Sequence, residues 1–226
     1  MRVVIIHGQA HQGSTYHITR MLADRLEASG AIAEEFTVNH MPFCIGCFAC
    51  IIRGEELCPH RQVIEPIIEA IEKADVVIVQ SPNYCMGMTG QLKTLFDHFA
   101  YRWISHRPHP SMKQKQGVAI STTAGAGAKK VTKDIKTNLS FWGIPKVYQI
   151  SHAVNAMSWK DVPPKKKEQI ATEVEKVADQ LIKHSGKVKP GVKNRMMFRL
   201  MGLMQSKNTW NVVDRNHWVS NGWIKE

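Results

Sequence analysis

Four of the five cysteines fall in one stretch, CIGCFACIIRGEELCPH, with the spacing C-x2-C-x2-C-x7-C at Cys44, Cys47, Cys50 and Cys58. Thiolates at i, i+3 and i+6, with a fourth further along, can converge on one iron–sulfur cluster. Bacterial ferredoxin runs open the same way and also end in Cys-Pro, here Cys58-Pro59. A [4Fe–4S] cluster is one use of such a stretch. Reduced thiols without metal, packed as small hydrophobes beside Phe43, Phe48, Ile51 and Ile52, account for it equally well. Zinc is less suited, because structural zinc sites usually draw on two separated ligand pairs. A regulatory disulfide is the remaining use.

Three other stretches carry polar and small residues where a ligand would need them. GQAHQGST (8–15) offers glycines, two hydroxyls and a helix start, a combination that suits a phosphate. It is neither a dinucleotide fingerprint nor a P-loop, since both G-x-G-x-x-G and Gly-Lys-Ser/Thr are missing. SPNYCMGMTGQLK (81–93) holds Pro82, an aromatic Tyr84, Gly87 and Gly90, with Thr89 placed to cap a helix. TTAGAGAKK (122–130) is rich in small residues. Together the three suit a planar ring with a phosphorylated tail. His98, His106 and His109 lack metal-ligand spacing and read as the end of a helix and a Pro-stiffened loop. Arg102, Trp103 and Arg107 in the same segment are expected near a neighbouring subunit or the mouth of the active site, where a basic group such as Arg107 would draw in an anionic phosphate.

These stretches need a scaffold, and the hydrophobic pattern predicts one. RVVIIHG (2–8), AIAEEFTV (31–38), ADVVIVQSPNY (74–84), GVAIST (117–122) and KVYQIS (146–151) read as strands. Between and after them, apolar residues recur at helical spacing. The expected helices carry Ile18–Leu26, with Ser14 or Thr15 as N-cap, Ile64–Ile71 with Pro66 in the first turn, Leu92–Ala100, Val131–Trp142, and Ile170–Leu181 opened by Pro163-Pro164. Strict alternation of strands and helices predicts an α/β fold, a doubly wound parallel sheet with helices on both faces. Such sheets bind ligands at the carboxyl ends of the strands, where the three loops lie.

Composition sets outer limits. The 226 residues carry a formal charge of +11. Residues 1–150 hold 16 Lys+Arg against 12 Asp+Glu, and residues 151–226 hold 14 against 7. No nucleic-acid module accompanies this excess, so nucleic acid is not expected as a partner. MRVVIIHG is too short an apolar run for a signal or a span, and no longer one follows, so a cytoplasmic protein with no membrane span is expected. The tail from 186 to 226 differs in character. It combines six Met or Leu residues between 196 and 204 with Trp210, Trp218 and Trp223. The expected organisation is a domain over 1–185 and, over 186–226, an amphipathic helix and Trp-rich arm packing on the domain or a partner subunit. Interleaved Lys193, Arg195 and Arg199 leave a membrane-surface helix as the less favoured reading.

The order and content of the loops resemble the flavodoxin-like NAD(P)H-dependent FMN reductases, and especially their iron–sulfur flavoprotein branch. The first loop follows the family's G-S-P-R-K-G-N-T as Gly8-Gln9-Ala10-His11-Gln12-Gly13-Ser14-Thr15, with departures at Gln9, Ala10, His11 and Ser14. The second follows S-P-V-Y and Q-L-K as Ser81-Pro82-Asn83-Tyr84 and Gln91-Leu92-Lys93, with Asp97 at the family's helix Asp. The resemblance implies a flavodoxin-like sheet of five strands in the order 2-1-3-4-5 and an FMN at its switch point. The FMN phosphate would sit on Gln9, His11, Gly13, Ser14 and Thr15. Its ring would lie against Pro82, Asn83, Tyr84, Cys85, Met86 and Gly87, closed by Thr122, Thr123, Ala124, Gly125 and Ala126. Hydride transfer requires no side-chain acid or base, so no catalytic side chain is assigned beyond Tyr84, which would shape the ring site or equally be a core tyrosine. The implied activity takes electrons from NAD(P)H through FMN to a quinone, a nitro or azo compound, free flavin or a protein, in a homodimer or homotetramer. An electron carrier coupling FMN to a [4Fe–4S] cluster on Cys44, Cys47, Cys50 and Cys58, and a non-enzymatic binding module, are the alternatives.

Overall fold

The computed structural model describes residues 1–225. Its five strands are β1 (Arg2–His7), β2 (Ile32–Thr37), β3 (Val76–Gln80), β4 (Gln116–Thr123) and β5 (Lys146–Ala153). They form one parallel sheet in the order β2-β1-β3-β4-β5. The helices are α1 (Ser14–Glu27), α2 (Ala49–Ile52), α3 (Arg61–Lys73), α4 (Gly90–His98), α5 (Ala128–Phe141), α6 (Pro164–Lys183), α7 (Val192–Ser206) and α8 (Val212–Ser220).

Strand side chains alternate between two cores, as the period of two requires. Val3, Ile5, Val76, Ile78, Val118 and Ile120 face α1 and α6. Val4, Ile6, Val77, Val79 and Ala119 face α3, α4 and α5, with Trp142 buried among them. The central strands β1 and β3 are sealed on both sides, so their β-branched runs are almost continuous. The edge strand β2 is largely exposed and tolerates Glu34 and Glu35. Each fully buried Val, Ile or Leu contributes roughly 1.5–3 kcal/mol.

Two local expectations are corrected. The N-cap of α1 is Gly13, so Ser14 and Thr15 are helical residues and not caps. Helix α3 begins at Arg61, which places Pro66 beyond its first turn, where the ring removes one helical hydrogen bond.

The chain after α6 folds back over the domain. Trp218 of α8 is fully buried, donates its indole N–H to the His106 carbonyl at 2.6 Å, and stacks on Phe198 of α7. Asn211 caps α8 and also donates to the Ile51 carbonyl at 3.1 Å, reaching the cysteine loop. Only one side of α7 is so used: Val192, Met196, Leu200, Leu203 and Met204 are exposed. Among the described residues, no helix is long and apolar enough to cross a membrane.

Candidate functional site at the strand carboxyl ends

β1 pairs with β2 on one side and β3 on the other, so the loops leaving β1 and β3 part at this point. Gly8 opens the first loop. Its N–H donates to the Gln80 carbonyl at 2.8 Å, and a Cβ there would lie 2.7 Å from that oxygen. The Gln9 side chain folds over the loop, bonding the backbone of the exposed His11 at both N–H and carbonyl.

The loop then delivers Gly13, which has no side chain to cap α1. The backbone N–H groups of Ser14, Thr15 and Tyr16 find no acceptor among the described residues. A 14-residue helix concentrates about half a positive charge at such an end. Three unpaired donors and this dipole make an anion seat.

The three loops are tied together. The Thr15 and Thr122 hydroxyls lie 2.6 Å apart, joining α1 to the end of β4. The Thr89 hydroxyl donates to the Gly8 carbonyl while accepting from Leu92 N–H, so one residue caps α4 and fastens the first loop. Asn83 N–H donates to the Thr122 carbonyl at 2.9 Å, and its side-chain amide donates to Ala126 at 2.8 Å. Asn83 Oδ1 is buried without a partner. Gly127 sits at φ 105°, and a Cβ there would approach the Asn83 amide to 2.5 Å.

The ring-side loop ends in a tight hairpin. Tyr84 and Gly87 exchange N–H to carbonyl bonds of 2.9 and 3.0 Å across Cys85 (φ 49°) and Met86 (φ 61°). Two positive φ values make a type I′ turn, which favours Asn-Gly and strains ordinary L residues. Tyr84 is 51% exposed, which removes the core-tyrosine alternative, and Cys85 and Met86 are exposed beside it. Ala124, Gly125 and Ala126 are exposed opposite. The crevice is thus an open slot. Two further hollows, of about 320 and 840 Å³, lie elsewhere, beneath α7.

These residues fit a flavin mononucleotide: unpaired N–H donors for its phosphate, a glycine-bounded slot for its ring, and the orphaned Asn83 carbonyl as an acceptor beside it. The expected loop residues 9–15, 82–87 and 122–126 all gather at this one end of the sheet.

The cysteine loop is arranged differently. Cys44 and Cys47 are exposed, whereas Cys50 and Cys58 are half-buried against the core of α3. Among the described residues, no three His, Cys, Asp or Glu side chains converge closely enough to hold a metal ion. Burial first, then the nearby Cys58 and Cys44 thiols, push the Cys50 thiol up to about 11 against the opposing Arg107. Ile51 packs in the core, but Phe43, Phe48 and Ile52 are exposed, so the expected apolar packing holds only in part.

Arg107 anchors this loop and is 2% exposed. It donates to the Cys50 and Ile51 carbonyls, to Glu55 at 3.0 Å, and to the buried Asp214. Its cation is consumed internally, so it does not attract a nicotinamide phosphate. Arg102 pairs likewise with Glu72 and Glu55. Burial raises the Glu55 carboxyl, but Arg107, backbone hydrogen bonding and Arg102 outweigh it and hold the group below the usual range. His98 bonds the Pro42 carbonyl, His106 bonds Asp214, and His109 bonds Ser111, so all three serve the fold.

Two features escape the sequence pattern. His7, 3% exposed at the end of β1, bridges Glu35 at 2.6 Å and Gln80 at 3.1 Å beneath the first loop. A lone polar residue closing an apolar strand was its only signal. The loop after β5 braces the third site loop, through Val154 N–H to Thr123 and Asn155 N–H to Ala124, and nothing local marks it.

Comparison with known proteins bears on this arrangement. A profile of the NADPH-dependent FMN reductases matches residues 1–158. An iron–sulfur flavoprotein of Archaeoglobus fulgidus is 30% identical over 153 residues, 66% of this chain and 67% of that protein. An FMN-dependent NADH:quinone oxidoreductase of Haemophilus influenzae is 22% identical over 148 residues, 61% of this chain and 76% of that protein. The chain spans about half to two thirds of the length of the curated iron–sulfur flavoproteins it matches. Among solved structures, the azoreductase AzrA superposes with a TM-score of 0.61 at 15% identity, covering 81% of this chain and 100% of that one, a likeness of fold.

Proposed function

Since the chain belongs to the NADPH-dependent FMN reductase family, whose profile spans residues 1–158, we propose that it binds FMN at the strand carboxyl ends and reduces an acceptor there with electrons from NAD(P)H. The observation that carries this reading is the uncapped first turn of α1, with three backbone donors facing the slot. Ser14, Thr15 and Gln9 hold the phosphate end, with His11 at the rim. Pro82 to Gly87 support one side of the ring, and Thr122 to Ala126 close the other. Bound FMN supplies a hydride acceptor and donor in one ring, which no side chain of the slot can replace. Thr15, Thr89 and Asn83 hold the three loops in register. The exposed Tyr84 shapes the face on which nicotinamide and acceptor bind in turn. The acceptor belongs to the quinones, the nitro or azo compounds, free flavins or a redox protein.

Purified protein reconstituted with FMN is expected to show flavin absorbance that bleaches anaerobically on adding NADPH or NADH. Absence of bound flavin after reconstitution refutes the reading. Gly127→Ala drives a Cβ into the Asn83 amide and is expected to weaken FMN binding at least about tenfold, by roughly 1.4 kcal/mol. Fluorescence titration reads this directly.

A second reading, an iron–sulfur flavoprotein carrying a [4Fe–4S] cluster on Cys44, Cys47, Cys50 and Cys58, is supported by the shared neighbourhood of the four thiols around Cys50 and by similarity to proteins of that name. It requires the exposed Cys44–Cys47 segment to fold toward Cys50 and Cys58. Iron and sulfide analysis of anaerobically prepared protein decides it: four of each per chain is expected for the cluster, and none overturns it. Assembly as a homodimer or homotetramer and residence in the cytoplasm complete the proposal. The exposed Phe43, Ile45 and Phe48 offer a surface for self-association.

A further inference from the structure

Helix α7 presents two opposite sides, one packed on the domain and one bare. At about 100° per residue, Asn194, Phe198, Met201 and Gln205 form the side turned to the domain, where Gln205 bonds the Ser105 carbonyl at 2.6 Å. Val192, Met196, Leu200, Leu203 and Met204 fall on the far side, within an arc of about 120°. That stripe is bare: Met196 and Leu203 are each 65% exposed and Leu200 is 53% exposed. Trp210, 73% exposed, follows beyond its end.

Charge decides what such a stripe can meet. Arg195 and Arg199 flank it on one side, Lys193 falls within its arc in the first turn, and Lys207 stands just past the helix end. None of the four makes an ion pair among the described residues; the arm's pairs run inward, from Asp214 to Arg107 and His106. Asp214 is the only acidic residue from 186 to 225, against eight Lys and Arg, and it is fully buried. The surface of the described arm therefore carries cations and no carboxylate. A second copy meeting this face through a two-fold axis would set cations against cations. An anionic lipid surface instead accepts the Met/Leu stripe among its acyl chains, the guanidinium and ammonium groups among its headgroups, and Trp210 at the boundary.

We infer that α7 is an interfacial helix that docks the folded protein onto an anionic bilayer surface without crossing it. The bound area is small, so the attachment is reversible and depends on both parts, apolar stripe and basic flanks.

Flotation of the full-length, FMN-loaded protein tests this. Vesicles of pure phosphatidylcholine are compared with an equal mixture of phosphatidylcholine and phosphatidylglycerol. Wild type is expected to float with the mixed vesicles only, and to be released by high salt. Leu200→Glu with Leu203→Glu, at positions more than half exposed and outside both cores, is expected to abolish flotation while keeping bound flavin and the circular dichroism of the fold. Arg195→Gln with Arg199→Gln is expected to weaken binding roughly 30-fold. Failure of wild type to float with mixed vesicles at low salt overturns the inference. So does equal flotation with pure phosphatidylcholine, or a dimer that Leu200→Glu splits, which would make the stripe an interface between copies.

Discussion

Arg107 and Asp214 show how much of this molecule hangs on single side chains. Both are almost fully buried, and they meet across 107 residues of chain. A buried ion pair is weak evidence of net stabilisation, but removing one partner strands the other charge. Asp214→Ala should therefore cost about 3 kcal/mol in urea unfolding. The Arg107→Met/Asp214→Leu double variant should lose less than the two single changes summed, which a double-mutant cycle reads as coupling. Lys115 carries a different burden. Its ammonium donates to the Glu72 and Ala74 carbonyls, yet burial pulls it down from 10.5 to about 8. Between those values the unfolded chain holds the proton that the folded chain has released. Stability from this group therefore rises as pH climbs from about 8 to 10.5, and its penalty is present in full below about 8. Urea midpoints of wild type and Lys115→Met below and above that window should diverge at the low side and converge at the high side.

At the scale of elements, the site is a set of strand-ends and helix-starts held by cross-ties. The Cys85-Met86 turn is the strained one. Two L residues occupy left-handed backbone that glycine adopts without penalty. Met86→Gly should stabilise the fold by up to about 1 kcal/mol, a rise in Tm of a few degrees. Helix α2 illustrates the opposite dependence. Four residues cannot hold a helix alone. Its carbonyls at Cys50 and Ile51 are claimed by Arg107 and Asn211, so the placement of Cys50 is set from outside its own segment.

For the whole molecule, the arm and the cysteine loop are one mechanical unit. Deleting residues 207–226 removes Asn211, Asp214 and Trp218 together. The flavodoxin-like sheet and the loops at its strand ends keep their own cores. The truncated protein should still take up FMN, while trypsin should cut at Arg53 several-fold faster than in the intact chain, because the loop loses its clamp. Equal cleavage rates in both proteins would show that the loop is held without the arm.

How much of this the chain announces depends on the range of the interaction. The parallel sheet, the helices covering it and the three site loops follow from local patterns. Val3–Ile6 and Val76–Val79 are apolar without a break because both faces of a central strand are sealed, and Gly8 stands where backbones crowd. The start of α1 at Ser14 under an uncapped Gly13 was less legible, since a Ser-Thr pair ordinarily signals a cap. The sequence by itself determined the fold and the clustering of the three loops at the carboxyl ends of the strands, because period-two and helical spacing and turn chemistry act within a few residues. Only the tertiary structure decided that Arg107 is a buried clamp, that Tyr84 stands exposed, and that α7 turns its Met/Leu stripe outward. Each of those depends on partners far along the chain, and burial is a property of the packed whole.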